Sequence, residues 1–287
     1  MGAAEQFNES NTPLTIQVRK FDPAATDQAP KYFFDNDPFK THFMNALSVL
    51  FPEGERFFIR SVLAYRDQIS DPKLLKEIRE FCAQEAQHTL VHEAMNELAA
   101  RHGYPVAWLE ALVRRDLRAF SKLGKKHKAV RRAALAMTVC MEHFTAILAY
   151  QLLTNADATQ QGLDPSVQAL FKWHAVEETE HKGVAFDVYQ ATGGGPIFLR
   201  FTMFFASFFF LLGLFVNLTV LLHKDGSLWQ WSTWKTGLRF CFGPKQGFLT
   251  RPFRDWLAFF KPGFHPWKQH RDLDTHSYAD QLGAYWA

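Results

Sequence analysis

Apolar residues recur every three or four positions along most of the chain between residues 38 and 191, which is the spacing of one face of an α-helix. The alternation of apolar and polar residues that marks a half-buried strand is almost absent. Four long stretches carry the helical pattern: residues 51–69, 72–99, 129–154 and 165–191. The pattern therefore predicts an all-α fold.

About 30 residues separate the second and third stretches, and they carry a helical pattern of their own around Trp108, Leu112 and Leu117. A segment of this length can cross a helix bundle from end to end. The sequence therefore predicts a four-helix bundle with one long crossover over residues 37–192. An extended N-terminal arm over residues 1–36 is expected before it, since that part has scattered polar residues and no period.

Ionisable residues interrupt the apolar stripe of all four helices. A Glu or His buried on an apolar face costs several kcal/mol unless it is paired, protonated or bound to a metal. The second and fourth helices each carry a Glu-x-x-His pair, which places a carboxylate and an imidazole on one face, one turn apart. The pairs are Glu85 with His88 and Glu178 with His181, and the first and third helices supply one inward carboxylate each, Glu55 and Glu142.

The order Glu, Glu-x-x-His, Glu, Glu-x-x-His across four helices is typical of proteins that hold two iron or manganese ions. Oxygen and imidazole ligands suit either metal. We expect Glu55 and Glu142 to bridge the two ions and each Glu-x-x-His pair to terminate one of them. The alternative is a bundle whose buried polar residues are hydrogen bonded to one another without a metal.

His174 lies on the fourth helix in the same stripe as the Glu-x-x-His pair, so it is a candidate seventh ligand. We expect it to act in catalysis together with the two single carboxylates. The alternative is a core histidine or a hydrogen-bond partner of a ligand. His92 fits a position beside the ligands or at the edge of the core. Glu177, Glu180 and His143 flank the stripes and are expected to face neighbouring helices or solvent.

The chain resembles a bacterial family, the predicted metal-dependent hydrolases, over about residues 35–275. The resemblance rests on FPEGERFFIRSV, EAQHTLVHEAMN, MEHF, WHAVEETEHKGVAFDVY and the late FHPW at residues 264–267. It implies a ferritin-like fold around a carboxylate-bridged dinuclear metal site. On the fourth helix alone, the spacing of His174, Glu178 and His181 is similar to that of di-iron arylamine N-oxygenases.

A second hydrophobic pattern follows the three glycines at residues 193–195. The segment from Phe201 to Leu222 has no charge over 22 residues and contains seven Phe and six Leu. A helix of this length reaches about 33 Å, enough to span a membrane. The segment is therefore predicted to be a hydrophobic C-terminal helix. It spans a membrane, inserts as a re-entrant or in-plane helix, or is buried as a fifth helix at a homodimer contact.

The tail over residues 224–287 is basic and aromatic, with nine Lys and Arg against five Asp. If the segment spanned the membrane, its positively charged tail would stay in the cytoplasm and the bundle would have to be exported. The first 30 residues are polar and do not have the pattern of an export signal. Insertion in the membrane plane satisfies both constraints. We therefore expect residues 193–287 to associate with the cytoplasmic side of the inner membrane.

Composition narrows the function classes. Three cysteines without a Cys-x-x-Cys pair do not predict a disulfide framework or a thiolate zinc site. A formal net charge of +3 is too small to indicate a nucleic-acid partner. An aromatic content of 15% excludes a disordered chain.

These features predict a di-iron oxidase or oxygenase that takes O2 as co-substrate, an external electron donor, and a lipophilic or aromatic small molecule. Manganese could replace iron. A metal-dependent hydrolase that uses a metal-bridged water is one alternative. A second alternative is an iron-storage or peroxide-detoxifying protein, although such a protein needs a shell-forming surface, for which the apolar tail is poorly suited. A third is a non-catalytic iron-binding or membrane scaffold protein.

Overall fold

The computed structural model of the chain describes the following residues: 14–155, 160–244, 247–271 and 273–287. Within these ranges the protein is helical, and the extended backbone forms isolated bridges between Phe21 and Trp286 and between Phe34 and Leu163. The all-α prediction is confirmed. The first 13 residues of the predicted arm lie outside the described part of the chain.

The described ranges contain these α-helices: α1 (Pro38–Ser48), α2 (Phe51–Leu63), α3 (Pro72–Arg101), α4 (Val106–Lys126), α5 (Lys128–Thr154), α6 (Pro165–His181), α7 (Val184–Ala191), α8 (Pro196–Asp225), α9 (Trp231–Phe242), α10 (Phe253–Ala258) and α11 (Thr275–Asp280). Short 3₁₀ turns lie at Pro23–Thr26, Arg66–Gln68, Pro266–Lys268 and Gly283–Tyr285. The predicted long helices correspond to α2, α3, α5 and α6 with α7, and the predicted crossover corresponds to α4.

Three of these helices begin in the same way. An aspartate side chain accepts a backbone N–H of the first turn, and a proline occupies the next position. Proline suits the first helical position because its missing N–H would have no intrahelical partner there. Asp37, Asp71 and Asp164 thus set the starts of α1, α3 and α6 from local sequence.

The core consists of two apolar clusters with a polar layer between them. One cluster contains the ends of α3 and α5 and the beginning of α6, with residues such as Met95, Leu152 and Leu170. The other contains α2, the beginnings of α3 and α5, and α7, with residues such as Phe81 and Leu135. The helices α3 and α5 therefore each pass from one apolar cluster to the other through the polar layer, and α6 does so together with α7.

The predicted fourth helix is continuous, whereas the structure divides it into α6 and α7 at Gly183. A Cβ atom at this glycine would lie 2.3 Å from the indole of Trp267, in the FHPW segment of the tail. Trp267 Nε1 donates to Asp187 Oδ2 at 3.0 Å, and His265 Nε2 lies 2.8 Å from Asp187 Oδ1. The helix breaks where the tail packs against it, a tertiary contact that helical periodicity does not report.

The hydrophobic segment forms α8, a helix of 30 residues that packs on α1 and α5. Both α5 and α8 are long and apolar enough to cross a membrane, by length and composition. Two thirds of the most apolar part of α5 is buried in the protein, as in a core helix, but only one third of that of α8 is. The exposed face of α8 is a row of Phe, Leu, Ile and Val side chains.

Candidate metal centre

The helices bring all seven predicted ligands together in the polar layer. Each of these residues is at most 4% exposed. Glu55 comes from α2, and Glu142 comes from α5. The others come from α3 and α6: Glu85, His88, His174, Glu178 and His181.

The seven residues form two neighbouring sets. In the first set, ligand atoms of Glu55, His88 and His174 lie within 4.8 Å of one another. In the second set, the same holds for Glu85, Glu178 and His181. Glu142 adjoins the second set, since its Oε2 lies 3.4 Å from His181 Nε2. Each set combines carboxylate oxygen with imidazole nitrogen and contains no thiolate.

Glu178 connects the two sets through its two oxygens. Its Oε1 lies 2.8 Å from His174 Nε2 and 3.6 Å from His88 Nδ1, both in the first set. Its Oε2 lies 3.5 Å from His181 Nε2, in the second set. This carboxylate therefore occupies the position between the sets.

The sequence pattern predicts Glu55 and Glu142 as the bridging carboxylates, and in the structure each of them adjoins one of the two sets. Glu55 Oε1 lies 4.0 Å from His174 Nε2, and the imidazole neighbour of Glu142 is His181. Periodicity identifies the inward face of each helix, but helix rotation and crossing decide which inward carboxylate reaches the centre. Neither property can be read from spacing.

Two of the histidines are held by outer hydrogen bonds. His88 Nε2 lies 3.1 Å from Glu177 Oε2, so its Nδ1 faces the first set. His181 Nδ1 lies 2.8 Å from Gln84 Oε1, so its Nε2 faces the second set. Metal-binding histidines typically hydrogen bond to such a partner through the ring nitrogen that does not bind the metal. The sequence did not single out Gln84, because a glutamine on a helix carries no metal-ligand signal.

The third histidine, His174, has a histidine as its outer partner. Its Nδ1 lies 2.6 Å from His92 Nε2, and His92 Nδ1 lies 3.0 Å from Ser48 Oγ. If Nε2 of His174 is the metal-facing nitrogen, its Nδ1–H donates to His92, and Nδ1–H of His92 donates to Ser48. Of the two predicted positions for His92, the structure therefore shows the one beside the ligands.

The N-terminal arm contributes a residue that the sequence pattern did not reveal. The guanidinium of Arg19 donates to both oxygens of Glu180 at 3.0 and 2.8 Å, and the Arg19 backbone N–H donates to Glu177 Oε1 at 2.8 Å. Gln84 Nε2 also donates to Glu180 Oε2 at 3.0 Å. Glu177 and Glu180 are fully buried against neighbouring segments, and none of their surface faces solvent. Arg19 thus joins the outer partners of His88 and His181 into one network.

Electrostatics in the polar layer depend on burial. Burial, together with the charge of Glu85, raises the pKa of Glu55 and of Glu142 well above the usual range. Burial would also raise the pKa of Glu178, but His181 and His174 hold it well below its usual range. Four carboxylates at this depth need a compensating positive charge to be ionised together.

The donor atoms test whether a metal fits here. Among the described residues, nine polar atoms of the seven side chains have no hydrogen-bond partner of suitable geometry: both oxygens of Glu55, Glu85 and Glu142, Oε2 of Glu178, Nδ1 of His88 and Nε2 of His181. Buried polar atoms are otherwise almost always paired. Because these are the oxygen and nitrogen atoms that first-row divalent metals bind, the residues present fit a metal site.

Comparison with known proteins gives one result. A family model described as "predicted metal-dependent hydrolase" matches residues 17–270, most of the 287-residue chain. Searches of curated proteins and of solved structures find no match. The matched range includes all seven candidate ligands and the Arg19 network. The chain therefore belongs to the family of predicted metal-dependent hydrolases.

Proposed function

We propose that the protein is an enzyme with a dinuclear metal centre in a ferritin-like bundle formed by residues 37–192. The single observation that carries this proposal is the pair of buried ligand sets joined by Glu178. One ion would be held by Glu55, His88 and His174, and the other by Glu85, Glu142 and His181. Glu178 would contribute one oxygen to each ion.

Hydrolysis is the reaction we favour, on the ground that the family is described as predicted metal-dependent hydrolases. Two bound divalent ions would supply Lewis acidity and a water of lowered pKa. Glu55 and Glu142 each lie on one side of the cluster, so each could hold a proton on a free carboxylate oxygen during turnover. The outer network would fix the ring orientations of His88 and His181.

The surroundings of the centre support a lipophilic substrate. Aromatic rings pack directly on the imidazoles: Phe51 on His174 with ring centroids 4.9 Å apart, and Phe81 on His181 at 5.0 Å. Apolar clusters lie on both sides of the ligands. A site with these walls favours an apolar substrate over a strongly hydrated one.

The third imidazole supports a second candidate, an oxidase or oxygenase. His174 belongs to the same set as His88, and its Nε2 lies 2.8 Å from Glu178 Oε1. A site of carboxylates and imidazoles without thiolates suits iron or manganese. This candidate would need O2 and an external electron donor. Metal identity and O2 dependence therefore separate the two reactions.

Membrane association is the third part of the proposal. In α8, one helix combines a length of 30 residues with exposed aromatic side chains, and its charged residues are near its ends. We expect residues 193–287 to insert in the plane of the inner membrane from the cytoplasmic side. A lipophilic substrate could then reach the protein from the bilayer.

The function is tested by loading the metal-free full-length protein anaerobically with Zn(II) or with Fe(II). Cleavage of long-chain nitrophenyl esters by the Zn(II) form without O2 supports the hydrolase. O2 consumption by the Fe(II) form with a reductant, and no ester cleavage, supports the oxygenase. If the Zn(II) form cleaves no ester and the Fe(II) form consumes no O2, the proposal of an enzyme is wrong and a scaffold protein is favoured. Glu178→Gln is the control, because it should abolish a reaction that depends on the centre.

A further inference from the structure

A large apolar cavity lies outside the metal centre, between α1, α5, α8, α9 and the beginning of α10. Its volume is about 720 Å³. Well-packed protein interiors contain few voids larger than a water molecule, whereas small-molecule sites have volumes of roughly 300–1,000 Å³. The cavity therefore has the size of a ligand site.

The lining determines the chemistry of the ligand. Among the described lining residues, the polar groups are the Ser207 hydroxyl, the Cys241 thiol and the indole N–H groups of two tryptophans. Ser207 Oγ donates to the Met203 carbonyl at 2.6 Å. Trp256 Nε1 donates to Ser207 Oγ at 3.0 Å, and Trp234 Nε1 donates to the Leu228 carbonyl at 2.7 Å. The hydroxyl and both indole N–H groups are already paired, so the lining favours a hydrocarbon chain over a polar molecule.

The mouth of the cavity determines where the ligand comes from. Five lining residues are 44–56% exposed: Leu211, Phe215, Leu238, Phe242 and Phe253. They continue the exposed aromatic face of α8, which includes Phe208 and Phe209. Arg239 and Arg254 follow mouth residues directly in sequence and are exposed. Apolar side chains next to arginines match an anionic lipid, whose chains are apolar and whose headgroup is negative.

We infer that this cavity binds an acyl chain of an anionic phospholipid from the membrane. The inference rests on the membrane association proposed above and requires no metal. Lipid binding would hold α8, α9 and α10 against the bilayer. It would also place an apolar chain beside α1 and α5, which contribute Ser48 and Glu142 to the metal centre and its outer partners.

The test uses full-length protein and vesicles of equal parts phosphatidylcholine and phosphatidylglycerol. Flotation measures membrane binding, and native mass spectrometry after extraction into a lipid-free detergent counts retained phospholipids and identifies the headgroup. The perturbation is Leu211→Trp, which puts a larger side chain at the mouth. The matched control is Leu212→Trp, because Leu212 is equally exposed at 44% but does not line the cavity.

We expect the wild type to retain one phosphatidylglycerol per chain. The added volume in Leu211→Trp should lower retention about tenfold, whereas Leu212→Trp should match the wild type. Circular dichroism and metal content should be unchanged in both variants, which excludes misfolding as the cause.

Three results would overturn the inference. Equal retention in all three proteins would place the lipid on the outer apolar face. A lipid-free dimer would assign the cavity to a second copy of the chain. Wild type that floats with vesicles but retains no lipid would leave membrane association intact and remove the cavity site. Failure to float would instead overturn membrane association itself, without bearing on the metal centre.

Discussion

Replacing Glu178 with glutamine should affect both metal ions, whereas replacing Glu142 should affect one. Glu178 lies 2.8 to 3.6 Å from imidazoles of both ligand sets, and the imidazole neighbour of Glu142 is His181. Glutamine keeps the shape of the side chain and removes its charge. We therefore expect Glu178→Gln to weaken both sites and Glu142→Gln to weaken only the second.

The magnitude follows from known effects at metal sites. Loss of an outer partner typically weakens metal binding by about 10–100-fold, so loss of a direct ligand should reach at least the upper value. At a metal concentration ten times the wild-type Kd, a 100-fold loss lowers the occupancy of a site from about 90% to about 10%. The same concentration stabilises the folded wild type by about 1.4 kcal/mol per ion, or about 2.8 kcal/mol for two.

Anaerobic titration with Mn(II), followed by metal analysis and thermal unfolding, measures both quantities. The control is Glu53→Gln, a buried carboxylate on α2 that pairs with Arg56 and Arg114 outside the ligand sets. It should bind two ions with unchanged affinity. Two fully bound ions in Glu178→Gln, or equal losses in Glu178→Gln and Glu142→Gln, would refute the shared position of Glu178.

The remaining predictions concern the surroundings of the centre. Arg19→Met should lower the free energy of unfolding by about 3–5 kcal/mol in urea titrations, because it leaves Glu180 buried without its cation; a loss below 1 kcal/mol would contradict this. His92→Ala should keep the helical circular dichroism signal and weaken the binding of one ion by about 10–100-fold in Mn(II) titrations, because His174 loses its outer partner. Unchanged binding of both ions would show that His92 only packs in the core. Gly183→Ala should destabilise the protein by about 1–3 kcal/mol, because the new Cβ overlaps the indole of Trp267; wild-type stability would show that the tail moves freely. Burial lowers the pKa of His143 from 6.5 to about 4. Between these two pH values the His143 imidazole is protonated in the unfolded chain but not in the folded protein, so the free energy of unfolding falls as the pH falls. Over that range His143→Gln should remove about 3 kcal/mol of the pH dependence measured by urea unfolding, and an unchanged slope would contradict the assignment.

The helices and the inward positions of the candidate ligands are features that the sequence could predict. Asp71 with the following proline marks the start of α3, and three-to-four spacing carries Glu85 and His88 onto the same face as Leu74 and Ile78. Both signals are local, because they depend on residues less than two turns apart. The same three-to-four spacing carries Glu142 onto the inward face of α5 and Glu178 onto that of α6.

The features that the sequence did not predict depend on contacts between distant segments. Arg19 lies in a part of the chain without periodicity, and its importance appears only when the arm packs on α6 next to Glu177 and Glu180. The break at Gly183 depends on Trp267, more than 80 residues later. The central position of Glu178 depends on how four helices rotate against one another. Periodicity contains none of this information.

The most direct test of the proposed dinuclear centre is a crystal structure of the metal-loaded protein, with diffraction data collected at the absorption edge of the metal. We predict two anomalous peaks in the polar layer, one beside His88 and His174 and one beside His181. Both peaks should lie within about 2.0–2.2 Å of an oxygen of Glu178, a typical length for a metal–carboxylate bond. A single peak would contradict the dinuclear centre, and two peaks that do not share Glu178 would contradict the central position of that carboxylate.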